Sequence, residues 1–147
     1  MEYEVVEIKE KMVEGVLIKT TNQDGKSMKD IGIVWQKFFT KGIFESIENK
    51  VGKSTIGLYT DYEGDCSMPY YFMAGCEVSD KSTDIGDREV KIIPAGKYAK
   101  FIVHGDVQMA VGEAWDKIWK MDLKRKYICD FEEYVSEQEI HIYIGIE

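Results

Sequence analysis

The clearest structural signal in the chain is the stretch Glu139-Ile140-His141-Ile142-Tyr143-Ile144-Gly145-Ile146-Glu147. Isoleucine occupies every second position, and the residues between are polar, aromatic or small. Successive side chains of a β-strand point to opposite faces, so this alternation predicts a strand with one face in the core. The chain therefore contains a sheet that other elements must cover on at least one side.

Two amphipathic helices are predicted upstream of this strand. One runs from about Asp106 to Met121, because the following apolar residues recur at helical spacing: Val107, Val111, Ala114 and Ile118. The other runs from about Ser27 to Gly42, with Ser27 and Asp30 as a capping pair. Its apolar face is formed by Ile31, Val34, Trp35 and Phe38. The sequence thus predicts two helices of similar character, far apart in the chain.

Further strands are predicted on both sides of these helices. Apolar runs bounded by turn residues place strands at Thr55 to Tyr62 and Tyr70 to Val78, with one or two strands in Val5 to Thr20. Glu89 to His104 is strand-like around a Pro-Ala-Gly bend, whereas Ser79 to Asp87 is polar and has no predicted structure. The class is therefore α+β, with a mainly antiparallel sheet.

The order strand, helix, strand, strand occurs twice, and the two copies can be aligned by hand. Val16 and Ile18 match Ala99 and Phe101, and the remaining matches are Trp35 with Trp115 and Gly75 with Gly145. We interpret the chain as one domain, 1–147, of two pseudo-repeats at about 1–79 and 88–147, with a natural cleft at their junction. The alternative is a coincidence in the order of elements.

Charge and composition exclude several classes of protein. The 147 residues carry 19 basic and 27 acidic side chains, a net charge of −8, which disfavours direct binding to nucleic acid. No apolar run is long enough to span a membrane, and the acidic N-terminus is unlike a signal peptide, so we expect a cytoplasmic protein and no membrane partner. With 44% apolar residues, the chain can fill a real core.

Metal, nucleotide and disulfide chemistry have no support in the spacing of residues. The three cysteines, Cys66, Cys76 and Cys129, are an odd number with no short spacing between any two and are interpreted as ordinary thiols. His104 and His141 fall on different predicted strands, and no glycine-rich phosphate loop occurs. We therefore expect no metal and no cofactor.

Two clusters combine carboxylates with aromatic rings. They are Tyr59-Thr60-Asp61-Tyr62-Glu63 and Asp130-Phe131-Glu132-Glu133-Tyr134, each interpreted as a strand end. Ring faces attract cations and a partly desolvated carboxylate supplies counter-charge, so such clusters suit a cation that is also apolar. The alternative is a solvated strand end with surface tyrosines.

The tryptophans of the two helices also have two interpretations. Trp115 and Trp119 lie beside the apolar face of the second helix, where they either border a cleft or widen the buried stripe. For Trp35 on the first helix we expect the buried stripe.

An ordered set of motifs resembles the GyrI-like small-molecule-binding family, also called the effector-binding domain of AraC-type and MerR-type regulators. In the second half these are Ile93-Pro94-Ala95-Gly96-Lys97-Tyr98-Ala99, His104-Gly105, Trp115-Asp116-Lys117-Ile118-Trp119, Asp130-Phe131-Glu132-Glu133-Tyr134 and Ile140-His141-Ile142-Tyr143-Ile144-Gly145-Ile146. In the first half they are Ile56-Gly57-Leu58-Tyr59 and Tyr70-Tyr71-Phe72-Met73-Ala74-Gly75. The resemblance covers nearly the whole chain.

The resemblance implies a duplicated β-α-β-β module of the SHS2-like, GyrI-like fold, with a ligand cleft between the halves. The glutamate of the family's Asp-Phe-Glu-x-Tyr motif falls on Glu132, which is the candidate for contacting a cationic or polar ligand; register decides whether Glu132 or Glu133 points inward. The candidates for the cleft wall are Tyr59, Trp115, Trp119, Phe131, Tyr134 and Tyr143. Regulators of the family carry a DNA-binding domain in front, whereas the first predicted strand here begins within ten residues, so we expect a stand-alone effector-binding domain.

Three functions are compatible with these features. The first is the binding of small amphipathic, cationic molecules, as in multidrug sensing or sequestration. The second is hydrolysis of a reactive small molecule with Glu132 as general base, although no second catalytic group is visible. The third is a protein partner, namely inhibition of a DNA topoisomerase, which the resemblance and the acidic charge permit.

Overall fold

The computed structural model describes residues 2–65 and 67–147, and within that range it leaves out the side chains of residues 107 and 108. The strands are β1 (Glu4–Ile8), β2 (Lys11–Thr20), β3 (Thr55–Thr60), β4 (Tyr70–Val78), β5 (Glu89–Ile93), β6 (Gly96–His104), β7 (Arg125–Ser136) and β8 (Glu139–Ile146). The helices are α1 (Lys26–Thr40), α2 (Ile43–Ser46) and α3 (Val107–Trp119), and a 3-10 turn covers Gln23–Gly25. Cys66 and the side chain of Val107 lie outside the described part.

The strands form one eight-stranded sheet in the order β1-β6-β8-β7-β3-β4-β2-β5, and every pairing is antiparallel. The order is symmetric about the β7–β3 pair, so that β7, β8 and β6 on one side correspond to β3, β4 and β2 on the other. Each edge strand pairs with a strand of the other half of the chain: β1 pairs with β6, and β5 pairs with β2. Each predicted module thus gains a strand from the other half of the chain.

The two long helices cover the same face of this sheet, one over each half. In α1, Val34 and Phe38 are buried against Phe72 and Ala74 of β4. In α3, Ala114 and Ile118 are buried in a cluster with the isoleucines of β8. The predicted helical stripes therefore contact the sheet as expected, and the alternating strand at the end of the chain is β8.

The capping pair predicted at the start of α1 is wrong. The helix begins directly after Gly25, which has a φ of 69° and supplies no side-chain cap. Asp30 instead accepts hydrogen bonds from the Thr20 hydroxyl and the Lys26 ammonium group. This arrangement ties α1 to the end of β2.

A second core lies on the sheet face that carries no helix. It joins Val13, Ile56, Leu58, Met73, Ile93, Tyr98, Cys129 and Phe131, with Val6 and Ile8 packed against it. Because β1 and β5 are opposite edges of the sheet yet both contribute to this cluster, the sheet curls around it. The buried thiols of Cys76 and Cys129 are free, and burial raises the pKa of Cys76 to about 11, as expected for an unreactive cysteine.

The polar segment without predicted structure, residues 79–87, is fastened to the sheet by a buried ion pair. Glu14 on β2 accepts hydrogen bonds from the backbone N–H and the hydroxyl of Ser82, at 2.7 and 2.8 Å, and from Arg88 Nε at 2.8 Å. These bonds keep the pKa of Glu14 below its usual value although burial alone would raise it.

Candidate functional site

A cleft of about 1420 Å³ runs between α1 and α3, above the central strands β3 and β7. Both helices lie over the outer strands of their own half, so the middle of the sheet is left uncovered by backbone. Aromatic side chains from both halves line the cleft, together with Glu132 and Arg125. The volume exceeds that of most drug-sized pockets, so the cleft has room for a large organic molecule.

Glu132 lies on the floor of the cleft, near the centre of β7. The sequence placed the Asp130–Tyr134 cluster at a strand end; that placement is wrong, because β7 continues on both sides of it. Alternation along β7 directs Asp130, Glu132 and Tyr134 to the helix-covered face and sends Glu133 to the other. The register therefore selects Glu132, which is 2% exposed, over its neighbour Glu133.

Three aromatic side chains donate hydrogen bonds to the Glu132 carboxylate. Trp115 Nε1 and the Tyr59 hydroxyl donate to Oε2, at 2.6 and 3.1 Å, and the Tyr134 hydroxyl donates to Oε1 at 2.9 Å. Burial raises the pKa of Glu132, and the three donors oppose that rise by stabilising the ionised form. The direction of the shift shows that burial outweighs them.

Gly57 provides the space in which this carboxylate sits. It is the register partner of Glu132 on β3, and a Cβ atom there would lie 2.7 Å from Glu132 Oε1. A larger residue at position 57 would force Glu132 Oε1, which accepts from Tyr134, to move. The glycine of the Ile56-Gly57-Leu58-Tyr59 motif is thus explained by the site.

Two pairs of rings lie around Glu132, and each pair joins a helix of one half of the chain to a strand of the other half. Trp115 on α3 packs edge-on against Tyr59 of β3, with ring centroids 5.3 Å apart. Trp35 on α1 packs edge-on against Tyr134 of β7, also at 5.3 Å. Trp119 lies at the rim and is 53% exposed. Tyr59, Trp115, Trp119 and Tyr134 therefore meet Glu132 at one cleft.

Trp35 is a cleft residue that the sequence analysis missed. Its position in the apolar stripe of α1 favoured a buried role, and it does pack against Phe72 in that way. The available signal was its match to Trp115 in the aligned halves, which places both indoles at the same site.

Two predicted wall residues, Phe131 and Tyr143, are corrected by the structure. They stack on each other with ring centroids 4.4 Å apart, on the sheet face opposite the cleft. Phe131 is part of the helix-free core, and Tyr143 packs against that core. Their aromatic character suggested a place in the wall. Successive side chains of a strand point to opposite faces, and the register of β7 with β8 directs both rings away from Glu132.

The sequence did not predict a second polar cluster at the cleft, which consists of Tyr62, Arg125 and the Asp130 carboxylate that they contact. Asp130 is fully buried and accepts hydrogen bonds from the Tyr62 hydroxyl at 2.6 Å, Arg125 Nη2 at 2.7 Å and the Gly145 backbone N–H at 2.9 Å. Tyr62 and Arg125 line the cleft at the end where β3 finishes and β7 begins.

Neither a metal centre nor a membrane span is found among the described residues. No group of three or more His, Cys, Asp or Glu side chains there is arranged to hold a metal ion. None of the helices in that range has the length and apolarity that crossing a bilayer requires.

Comparison with known proteins agrees with this architecture. The family model Cass2, described as integron-associated effector binding protein, matches residues 4–146. "Putative transcriptional regulator protein YobU" of Bacillus subtilis (strain 168) is 31% identical over 104 residues, which are 65% of this chain and 65% of that protein. The aligned part therefore spans slightly less than two thirds of the relative's length.

Two solved structures share the fold over essentially the whole chain. The integron cassette protein VCH_CASS2, from the mobile metagenome of Vibrio cholerae, has a TM-score of 0.82 and 28% identity, covering 99% of this chain and 95% of its own. SAV2435, solved bound to tetraphenylphosphonium, has a TM-score of 0.82 and 20% identity, covering 100% and 94%. At that identity SAV2435 establishes the fold alone. The match over residues 4–146 shows that the chain belongs to the Cass2 family of integron-associated effector-binding proteins, within the GyrI-like effector-binding domains related to transcription regulators.

Proposed function

We propose that the chain binds small lipophilic cations in the cleft and that the Glu132 carboxylate is their counter-charge. The ligand is held between the Trp35–Tyr134 and Trp115–Tyr59 ring pairs, with its positive charge near Glu132. Binding of this kind serves the sensing or the sequestration of such molecules.

One observation carries the proposal: Glu132 is a buried carboxylate without a basic partner. Three carboxylates are fully or almost fully buried among the described residues, namely Glu14, Asp130 and Glu132. Glu14 is paired with Arg88, and Asp130 is paired with Arg125. Within the described ranges Glu132 has no ion pair and only neutral donors. Buried charges in proteins are normally paired, so the missing cation is best supplied by a ligand.

The surroundings of Glu132 support the same ligand class. The lining contains the acidic residues Asp106, Asp116 and Glu137, against Lys53 and the already paired Arg125. Large apolar side chains are exposed along the same lining, and these are Met28, Phe39, Trp119 and Val135. Ring faces attract cations, and exposed apolar surface at a cleft is typical of a site for an apolar molecule.

The ligand and the name given for two similar proteins also support the proposal. The ligand named with SAV2435, tetraphenylphosphonium, is a lipophilic cation, and that protein has the same fold. The name of YobU refers to transcriptional regulation, which is a use to which an effector-binding domain can be put. The first observation fits the proposed ligand class, and the second fits an effector-binding role.

The test uses two probes of the same shape and opposite charge, tetraphenylphosphonium and tetraphenylborate. Their binding is followed by tryptophan fluorescence and titration calorimetry at pH 7, where Trp35 and Trp115 report on the cleft. We expect saturable binding of the cation with an affinity at least roughly tenfold above that of the anion, as expected when a buried charge contributes more than about 1.4 kcal/mol. Equal binding of the two probes, or tighter binding of the borate, would contradict the proposal.

The hydrolase alternative has less support from the same geometry. A general base needs a lone pair directed at the proton that it removes. Oε2 of Glu132 accepts hydrogen bonds from Tyr59 and Trp115 and Oε1 accepts one from Tyr134, so three of the roughly four lone-pair sites of the carboxylate are occupied. Such a carboxylate suits electrostatic recognition better than proton transfer.

A further inference from the structure

Arg125 reaches the cleft because of an irregularity in β7. The β7–β8 register shifts between Arg125 and Asp130, and Tyr127 within the shifted segment has a φ of 53°. Regular alternation would send Arg125 and Asp130, which are five residues apart, to opposite faces of the sheet. A bulge changes the direction of the side chains that follow it, so Arg125 points to the same face as Asp130. It lines the cleft, and its side chain is only 7% exposed.

The Arg125 guanidinium group contacts the site that holds Glu132. Its carbon Cζ lies 6.0 Å from the centroid of the Trp115 ring, and Trp115 Nε1 donates to Glu132. Arg125 Cζ also lies 4.4 Å from the Tyr127 ring. The ion pair and the buried carboxylate therefore flank the same indole.

The guanidinium group has hydrogen-bonding capacity that the protein leaves unused. Nη2 donates to Asp130 at 2.7 Å, but Nε is buried and has no hydrogen-bond partner among the groups that the structure describes, which leave out the side chains of residues 107 and 108. Buried donors without a partner are rare and costly in native proteins. Arg125 also lines the cleft beside Trp115, so a ligand acceptor placed against the guanidinium group there would add a hydrogen bond to a group whose donors the protein does not fully use.

We propose that Arg125 is a second recognition group of the cleft, and that the preferred ligands are lipophilic cations carrying a neutral oxygen acceptor, such as an ester, ketone or ether. This inference rests on the proposed function and adds to it. The cation lies at Glu132, and the acceptor oxygen lies at the Arg125 guanidinium group across Trp115.

The acceptor is neutral because Asp130 already balances the charge of Arg125. The pair as a whole carries no net charge, and Tyr62 donates its hydroxyl hydrogen to Asp130 rather than to the cleft. A carboxylate at this point would receive no net attraction from the pair and would face the acidic lining, including Asp116 and Glu137. The site therefore distinguishes a neutral acceptor from an anion.

Three xanthylium dyes test this, because they differ in a single substituent. Tetramethylrosamine has no acceptor on its phenyl ring, tetramethylrhodamine methyl ester carries a neutral ester, and tetramethylrhodamine carries a carboxylate. Dissociation constants are measured by fluorescence anisotropy with the full chain at pH 7. We expect the ester to bind roughly tenfold more tightly than the rosamine, as for one hydrogen bond to a charged donor, and the carboxylate to bind most weakly.

The matching variant replaces both members of the pair, Arg125→Met with Asp130→Asn, so that no buried charge is left alone. The asparagine oxygen can still accept from the Gly145 N–H, and its amide can donate to the Tyr62 oxygen. In this variant the ester and the rosamine should bind with equal affinity.

The outcomes separate the inference from the proposed function. Failure of all three dyes to bind a folded wild-type chain would overturn both. Equal affinities of ester and rosamine in the wild type, an unchanged preference in the double variant, or tightest binding of the carboxylate would overturn the role of Arg125. The first two of these results would leave cation binding at Glu132 intact.

Discussion

Replacing Glu132 by glutamine is expected to weaken the binding of tetraphenylphosphonium by at least roughly 30-fold, about 2 kcal/mol, while the fold is kept. The carboxylate supplies the only buried negative charge of the cleft that lacks a basic partner among the described residues. A neutral amide of the same shape removes that charge and little else. Calorimetric titration of both proteins measures the difference directly.

Glutamine can satisfy the hydrogen bonds of the site, which makes the comparison clean. Its amide oxygen can accept from Trp115 Nε1 and the Tyr59 hydroxyl, in place of Oε2. Its NH₂ group can donate to the Tyr134 oxygen, because a phenol hydroxyl both donates and accepts. Unfolding in denaturant should therefore show no loss of stability.

The stability of this variant follows from the sign of the pKa shift. Burial raises the pKa of Glu132 in the folded protein, so the folded state holds the proton more tightly than the unfolded state. The wild type is therefore more stable below the folded-state pKa and loses stability as the pH rises through the window between the two pKa values. At pH 7 the glutamine variant should be as stable as the wild type or more so.

Glu133→Gln is the matched control, because it removes the same charge from the adjacent residue on the opposite face. Its side chain is 34% exposed and lies 3.8 Å from His141 Nδ1. We expect tetraphenylphosphonium to bind this variant within about threefold of wild type. Equal affinities in the Glu132 variant and in wild type would refute the counter-charge role.

Replacing Asp130 by alanine is expected to lower the free energy of unfolding by about 3–5 kcal/mol. The change leaves the Arg125 charge without its partner in a side chain that is 7% exposed, and it removes the acceptor of three donors. Removing one member of a buried ion pair is more damaging than removing both, because the remaining charge stays desolvated. Urea unfolding followed by tryptophan fluorescence gives the value.

Two further variants test the reason for that loss. The double change Arg125→Met with Asp130→Asn should fall within about 1 kcal/mol of wild type, since no lone charge remains. Asp116→Ala removes an exposed carboxylate of the same cleft and should change stability by less than about 0.5 kcal/mol. If the double variant were as unstable as Asp130→Ala, the loss would come from packing and not from the unpaired charge.

The sequence was sufficient for the features that depend on local periodicity. The alternating isoleucines of β8 and the helical stripes of α1 and α3 lie where their spacing predicted. The family resemblance pointed to Glu132, and the hand alignment of the two halves matched Trp35 with Trp115, although the expected role of Trp35 was a buried one. We continue to infer two pseudo-repeats from that alignment and from the symmetric strand order.

The rest depends on interactions that are distant in sequence. Phe131 and Tyr143 have the same aromatic character as Tyr134, and only the register of β7 with β8 sends them to the other face. The bulge at Tyr127 brings Arg125 to Asp130 against the expected alternation. Pairing of β1 with β6 and of β5 with β2 joins segments that are between 74 and 96 residues apart, for which local patterns carry no signal.

The most direct test of the counter-charge is the pH dependence of tetraphenylphosphonium binding. The dissociation constant is measured from pH 8 down to pH 4.5 in wild type and in Glu132→Gln, with circular dichroism confirming the fold at each pH. Only the ionised carboxylate attracts the cation, and burial raises its pKa, so in wild type the dissociation constant should rise by about tenfold per pH unit below that pKa. The onset should lie above the range of an ordinary glutamate, and the glutamine variant should show no such rise. A flat wild-type profile, or the same profile in both proteins, would contradict the assignment of Glu132 as the group that holds the cation.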